Sequence, residues 1–216
     1  MRHLFVLFVL LPVLLRAQTG KEPLAPRFAL KANLMPMINP AKQAIALAGD
    51  LRIAPRIGVD VGVGYIFNST AFASFDGESY QGMRWRAGAK YFVDLTDDVA
   101  FHIGLEAKYN DINNVQIKRV LRQGGQYIEL LEVNRKVRTT GYALRLGWQF
   151  YSGPNKRFLV EPFMGFGVAT HRVTRNLPPD AELIDGEREL FSFEYEQGKT
   201  RTPDIMIGVH LGYAVW

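Results

Sequence analysis

Cysteine is absent from the 216 residues, which excludes disulfide frameworks, thiolate metal sites, cysteine nucleophiles and a cysteine-linked lipid anchor. Long runs of like charge are absent too. With 26 basic against 21 acidic side chains and a net charge of +5, no stretch is basic enough to grip a phosphate backbone, so no nucleic-acid partner is expected. Beyond residue 15 no apolar run approaches the length of a membrane-spanning helix, about 20 residues. The 48% hydrophobic and 22% charged content nonetheless suits a folded chain of about one domain rather than a disordered one.

What is present begins with an export signal. Arg2 and His3 precede the apolar run Leu4–Leu15, and Arg16-Ala17-Gln18 follow. A basic start, a short apolar stretch and a small residue at the cut are the order of a secretory signal peptide; Leu15 is larger than ideal for cleavage after Ala17. The expected organisation is a signal peptide over 1–17, a short periplasmic segment over 18–27 and one β domain over 28–216.

Within that domain nearly every apolar stretch alternates. In Ile57–Phe67 one face carries Ile57, Val59, Val61, Val63, Tyr65 and Phe67, and the other Gly58, Asp60, Gly62, Gly64 and Ile66. Successive side chains leave a pleated backbone on opposite sides, so period two marks a strand, whereas a helix would scatter these residues around its axis. The pattern predicts eight strands, roughly 28–38, 43–54, 57–67, 83–93, 98–110, 138–151, 158–172 and 204–216.

Two architectures fit alternation. In a soluble sandwich Gly58, Gly62 and Gly64 would line a solvent face, where glycine weakens a strand, unless they mark bulges or close sheet contacts. In an eight-stranded barrel they would line a crowded interior while the bulky apolar side meets lipid. Connection lengths favour the barrel. Pro55-Arg56, Asp94–Asp98 and Ser152–Arg157 are short polar turns, whereas 68–82, 111–137 and 173–203 are long; only the connection around Asn39–Lys42 breaks that parity. Short periplasmic turns opposite longer extracellular loops are the pattern of outer-membrane barrels. The expected fold is therefore an all-β, eight-stranded antiparallel transmembrane up-and-down barrel in the cell outer membrane, with long extracellular loops and both termini periplasmic.

The long loops carry opposite charge. Gln123-Gly124-Gly125 reads as a hairpin turn, so strands five and six are expected to continue as a ribbon rich in bases, among them Lys118, Arg119, Arg122, Arg135, Lys136 and Arg138. From Asp180 to Glu196 the last loop is acidic, with Arg188 its one base, and Leu190–Tyr195 suits a short outer strand. The loops are expected to touch or to clamp a shared partner, against the alternative of two mobile solvated loops.

The whole mature chain resembles the small outer-membrane barrels of the OmpA/OmpX type, and more narrowly an uncharacterised family of such barrels in Bacteroidetes. The narrow likeness rests on Leu30–Leu34, Met37-Ile38-Asn39-Pro40, Ile57–Phe67 and Gly208–Tyr213. It implies insertion by the barrel-assembly machinery and contact with outer-membrane lipid and lipopolysaccharide, and it supplies no catalytic residues. Trp216 falls one residue out of phase with the lipid-facing Tyr213 and Val215, a departure from the usual terminal aromatic.

A search for chemistry ends in a polar face rather than a site. Lys31, Asp50, Arg52, Asp60, Arg84, Arg86, Lys90, His102, Glu106, Lys108, Arg145, Glu161, His171 and His210 share the small-residue side, where acids and bases from different strands should pair into a buried plug. His102, His171 and His210 lack metal-ligand spacing. Glu161 and His171, ten residues apart on one strand face, lie roughly 34 Å apart and cannot act as a pair. Ser69, Thr70 and Ser74 are the residual loop nucleophiles. No catalytic, cofactor-binding or metal residues are therefore assigned, and no cofactor. The expected role is that of a non-enzymatic, monomeric structural or surface-interaction barrel, meeting an extracellular protein or glycan through loops 111–137 and 173–203. A lipid-modifying enzyme, a small-solute channel and a soluble secreted barrel binding an apolar ligand are the alternatives.

Overall fold

Alternation becomes a continuous ring of backbone pairing in the computed structural model, which describes residues 28–34, 44–67, 79–153, 155–184 and 197–215. The signal peptide, the Met37–Pro40 connection, the loop with Ser69, Thr70 and Ser74, most of the acidic loop and Trp216 lie outside the described residues. The strands are β1 (Phe28–Asn33), β2 (Ala44–Ala54), β3 (Ile57–Phe67), β4 (Ser79–Asp94), β5 (Val99–Arg122), β6 (Tyr127–Ser152), β7 (Phe158–Arg175), β8 (Glu182–Leu183) and β9 (Gly198–Ala214). All pairings are antiparallel, and no helix occurs among the described residues. Each of the eight long strands pairs with two neighbours, from β4 through β3, β2, β1, β9, β7 and β6 to β5, and β4 pairs with β5 to complete the circuit.

The strand count departs from eight because of β8. After β7 the chain crosses the extended β5–β6 hairpin and adds two residues to the edge of β5, pairing Val120 with Leu183 and Leu121 with Glu182. β4 starts at Ser79, and β5 and β6 run 24 and 26 residues, well past the expected ends. Asp111, Asn113 and Asn114 interrupt the hydrophobic pattern there, yet ladder pairing continues from Val99↔Phe150 to Arg122↔Tyr127. The expected ribbon is present, and its turn takes positive φ at Gln123, Gly124 and Gly125 (50°, 68° and 95°), a path that glycine follows at little steric cost.

The two faces of the ring are sharply different. On β6, Thr139, Gly141, Ala143, Arg145, Gly147 and Gln149 point inward and are buried, while Tyr142, Leu144, Trp148 and Phe150 point outward and are exposed. No outward position on the eight long strands is charged between Phe28 and Ala32, Ile45 and Ile53, Ile57 and Phe67, Gln81 and Val93, Val99 and Tyr109, Thr140 and Phe150, Phe158 and Val168, or Pro203 and Tyr213. Inward glycines make room for large neighbours. A Cβ at Gly62 would lie 2.6 Å from Arg86 Nε and 3.1 Å from the Leu47 carbonyl oxygen, and one at Gly208 would lie 2.4 Å from the Phe163 ring.

Candidate functional site

The inside of the ring is a buried ionic network, and Glu161 of β7 is its hub. Ring closure brings this carboxylate opposite residues from β1, β4, β5, β6 and β9. Lys31 reaches both Glu161 and Asp50. Arg145 Nη2 donates to Glu161 Oε1 at 2.6 Å, and its Nη1 lies 3.0 Å from Glu106 and 3.4 Å from Asp60. Lys90 adds contacts to Asp50 (2.8 Å), Glu161 (3.4 Å) and Asp60 (3.8 Å). The Gln149 amide donates to Asp50 and Glu161, at 3.1 Å each, and Tyr151 in turn donates to Gln149 Oε1 at 2.6 Å. Arg145, Glu161, His102 and His210 are each at most 1% exposed.

Smaller pairs extend the network toward both ends. Arg52 meets Asp94 at 3.4 Å near the short turns, and Lys108 meets Asp204 at 2.5 Å toward the long loops. Between the bounds of the ring, seven inward bases (Lys31, Arg52, Arg84, Arg86, Lys90, Lys108, Arg145) face six inward acids (Asp50, Asp60, Asp94, Glu106, Glu161, Asp204). This near balance is what a dry interior demands, since an unpaired buried charge costs several kcal/mol, about 3–5 when one partner is removed.

The histidines behave differently from one another. His102 Nε2 lies 3.1 Å from Glu161, and Arg145 donates to His210 Nδ1 at 3.0 Å; a guanidinium has no acceptor, so that nitrogen accepts. His171 sits apart from Glu161, held by Thr139 (2.9 Å) and Thr202 (3.0 Å). The structure thus gathers the predicted Lys31, Asp50, Asp60, Lys90, His102, Glu106, Arg145, Glu161 and His210, and leaves His171 outside the cluster.

Aromatic side chains inside the ring were not anticipated as part of the network. Phe92 underlies the Arg52 guanidinium at 3.9 Å, Phe163 underlies Arg145 at 4.0 Å, and Phe163 also stacks on His210 with centroids 4.6 Å apart. A ring face offers a cation partial compensation where water is excluded. Their inward parity was readable in the sequence; that Gly58 and Gly208 open space for them was not, because those glycines lie on other strands.

At the long-loop end the hairpin and the last loop touch where both are described. Arg122 lies 2.9 Å from Asp180 and 3.1 Å from Glu129, and the backbone N–H groups of Asn176 and Ile184 donate to Asn134 and Arg119. The hydrogen bond from Arg122 to Asp180 holds the guanidinium above its ordinary pKa. Val120 and Val133, on the inward side of the hairpin, are buried at 0% and 2% exposure, so segment 176–184 crosses that inner side. The predicted contacts from Asp185 to Glu196 lie outside the described residues.

The sequence matches no protein-family model and no curated protein. Among solved structures the resemblance is distant. CarO of Acinetobacter baumannii is 14% identical over 91% of this chain and 100% of that one, with a TM-score of 0.38. A major outer membrane protein from Thermus thermophilus is 11% identical over 88% of this chain and 98% of that one, with a TM-score of 0.41. Likeness at this level carries no argument, and the charged interior and apolar exterior stand on their own.

Proposed function

We propose that the chain is an integral outer-membrane β-barrel, non-enzymatic and monomeric, with a filled lumen and a structural or surface-interaction role. The observation that carries this reading is the inversion of the usual soluble pattern: charges are buried inside, and apolar side chains cover an exterior that is uncharged along its central band. Leu105, Tyr142, Ile205 and Ile207 are each more than 60% exposed, and monomeric soluble proteins rarely expose contiguous apolar surface on this scale. On β7 the outward apolar run from Phe158 to Val168 covers about 34 Å along the strand, or about 26 Å in height at a tilt of about 40°, close to the apolar band of such barrels. Outward aromatics such as Tyr65, Tyr109, Trp148, Phe150 and Tyr213 suit the two interfaces.

This reading also takes up the export signal, the OmpA/OmpX-type likeness, periplasmic termini and assembly by the barrel machinery. Fractionation tests it: the mature chain should stay in the outer membrane through carbonate or urea extraction and should migrate heat-modifiably in detergent gels. Recovery in a soluble fraction would overturn it in favour of a secreted binder of apolar ligands. Planar bilayers should show no stable large conductance, because eight strands enclose only enough room for side chains.

A further inference from the structure

Beyond the upper edge of the apolar band, one side of the wall turns basic. Pairing places Arg138 of β6 opposite Arg172 of β7, and Arg172 opposite Lys199 of β9. All three are on the outward face and exposed. Like charges directly opposite across antiparallel strands repel and destabilise the sheet. Asp111 of β5 completes the row at one end only, 3.6 Å from Arg138 and 3.3 Å from Lys136. Arg172 and Lys199 have no carboxylate partner among the described residues. At neighbouring-strand spacing the three cations span about 10 Å.

Immediately beyond this row lies a polar recess of about 310 Å³, lined by Asn113, Asn134, Lys136, Thr174, Arg175 and Asn176. Amides and a hydroxyl beside a line of cations form a mixed surface: one part suits sugar hydroxyls, the other phosphate oxygens. Directly below the row come Thr140, Thr170 and a fourth outward cation, Arg201, then Tyr142, Val168 and Pro203 at the start of the apolar exterior. An occupant of this surface therefore has an acyl part level with the apolar band and a phosphorylated sugar level with the cations.

We propose that this rim of β5, β6, β7 and β9 binds the phosphorylated sugar headgroup of an outer-leaflet glycolipid. The proposal rests on the outer-membrane reading and assigns the headgroup contact to one stretch of the wall and to named residues in it. The chain's own acidic loop is the competing occupant. Its described part starts at Asn176 beside the recess and then runs to the inner side of the hairpin, where Asp180 meets Arg122, while the row faces outward.

The test uses the full mature chain folded in detergent, with bisphosphorylated lipid A as the probe and dephosphorylated lipid A and inorganic phosphate as comparisons. Replacing Arg138, Arg172 and Lys199 together by Gln should weaken lipid A binding by on the order of tenfold or more. Arg172→Gln alone should give a smaller loss, and Arg157→Gln, at the opposite end of β7, none. Heat-modifiable migration identifies the folded fraction of each variant. Dephosphorylated lipid A should bind wild type weakly, and millimolar inorganic phosphate should not compete.

Equal lipid A binding by folded wild type, Arg172→Gln and the triple variant would overturn the site while leaving the membrane reading intact. Effective competition by inorganic phosphate would overturn the lipid assignment. Binding that emerges only after Glu187, Glu189, Glu194 and Glu196 are changed to Gln would hand the site to the chain's own loop. A wild-type chain that fractionates as soluble would remove both readings together.

Discussion

Arg145 and Arg172 are the same residue type on adjacent strands, and the ring treats them in opposite ways. Arg145 points inward at mid-height, 1% exposed, among Glu161, Glu106 and Asp60 and over the Phe163 ring. Arg172 points outward beyond the apolar band, exposed, with Arg138 and Lys199 as cross-strand neighbours. The interior sets nearly every charge beside a counter-charge because water is excluded, Arg84 being the inward base with no ion pair among the described residues. The outer rim leaves cations side by side, which is tolerable only where an external anion or solvent screens them. Burial thus dictates how completely a charge must be matched by the chain itself.

The sharpest test of that contrast is a matched pair of substitutions. Arg145→Met should destabilise the folded state by about 3–5 kcal/mol by stranding its carboxylates, whereas Arg172→Met should change stability by less than about 1 kcal/mol. Urea unfolding in detergent micelles reads both, and equal effects would break the comparison. Next in size is Val61→Arg on the outward face, where under the proposed outer-membrane reading a cation set against hydrocarbon near mid-height should cost about 2–4 kcal/mol; folding yield into vesicles measures it, and wild-type yield would show the faces to be wrongly assigned. Gly208→Leu should lose about 1–3 kcal/mol through overpacking against Phe163, seen as a lower midpoint of heat-modified migration. The smallest effect belongs to Asp180→Asn, which releases segment 176–184 from Arg122. Trypsin should then cut the hairpin faster at Lys118 and Arg122 while the unfolding midpoint stays unchanged.

Much of this arrangement is legible in the sequence alone. The alternation in Ile57–Phe67 names its inward and outward residues one by one, and burial follows that pattern at every position from Gly58 to Ile66. Gln123-Gly124-Gly125 reads as a turn and is one. Less legible were the strand ends beyond Tyr109 and before Thr139, where polar residues interrupt the hydrophobic period but the backbone ladder runs on. The charged face was visible as an inventory, and strand spacing already set His171 far from Glu161, but nothing local marked Glu161 as the centre.

Period two is a local property of the backbone, so the residue pattern alone settles which side chains share a face, where glycine leaves space and where the chain turns. Who meets whom across the ring is a matter of register and closure between segments far apart in the chain. Lys31 and Glu161 are 130 residues apart, and no local pattern encodes their contact. The same holds for the two-residue β8 and for the cation row, since Arg138, Arg172 and Lys199 become neighbours only when β6, β7 and β9 pair in this register. Those meetings belong to the assembled ring, because hydrogen-bond ladders lock each strand's offset, and that offset selects one opposing side chain from several that local chemistry alone would allow.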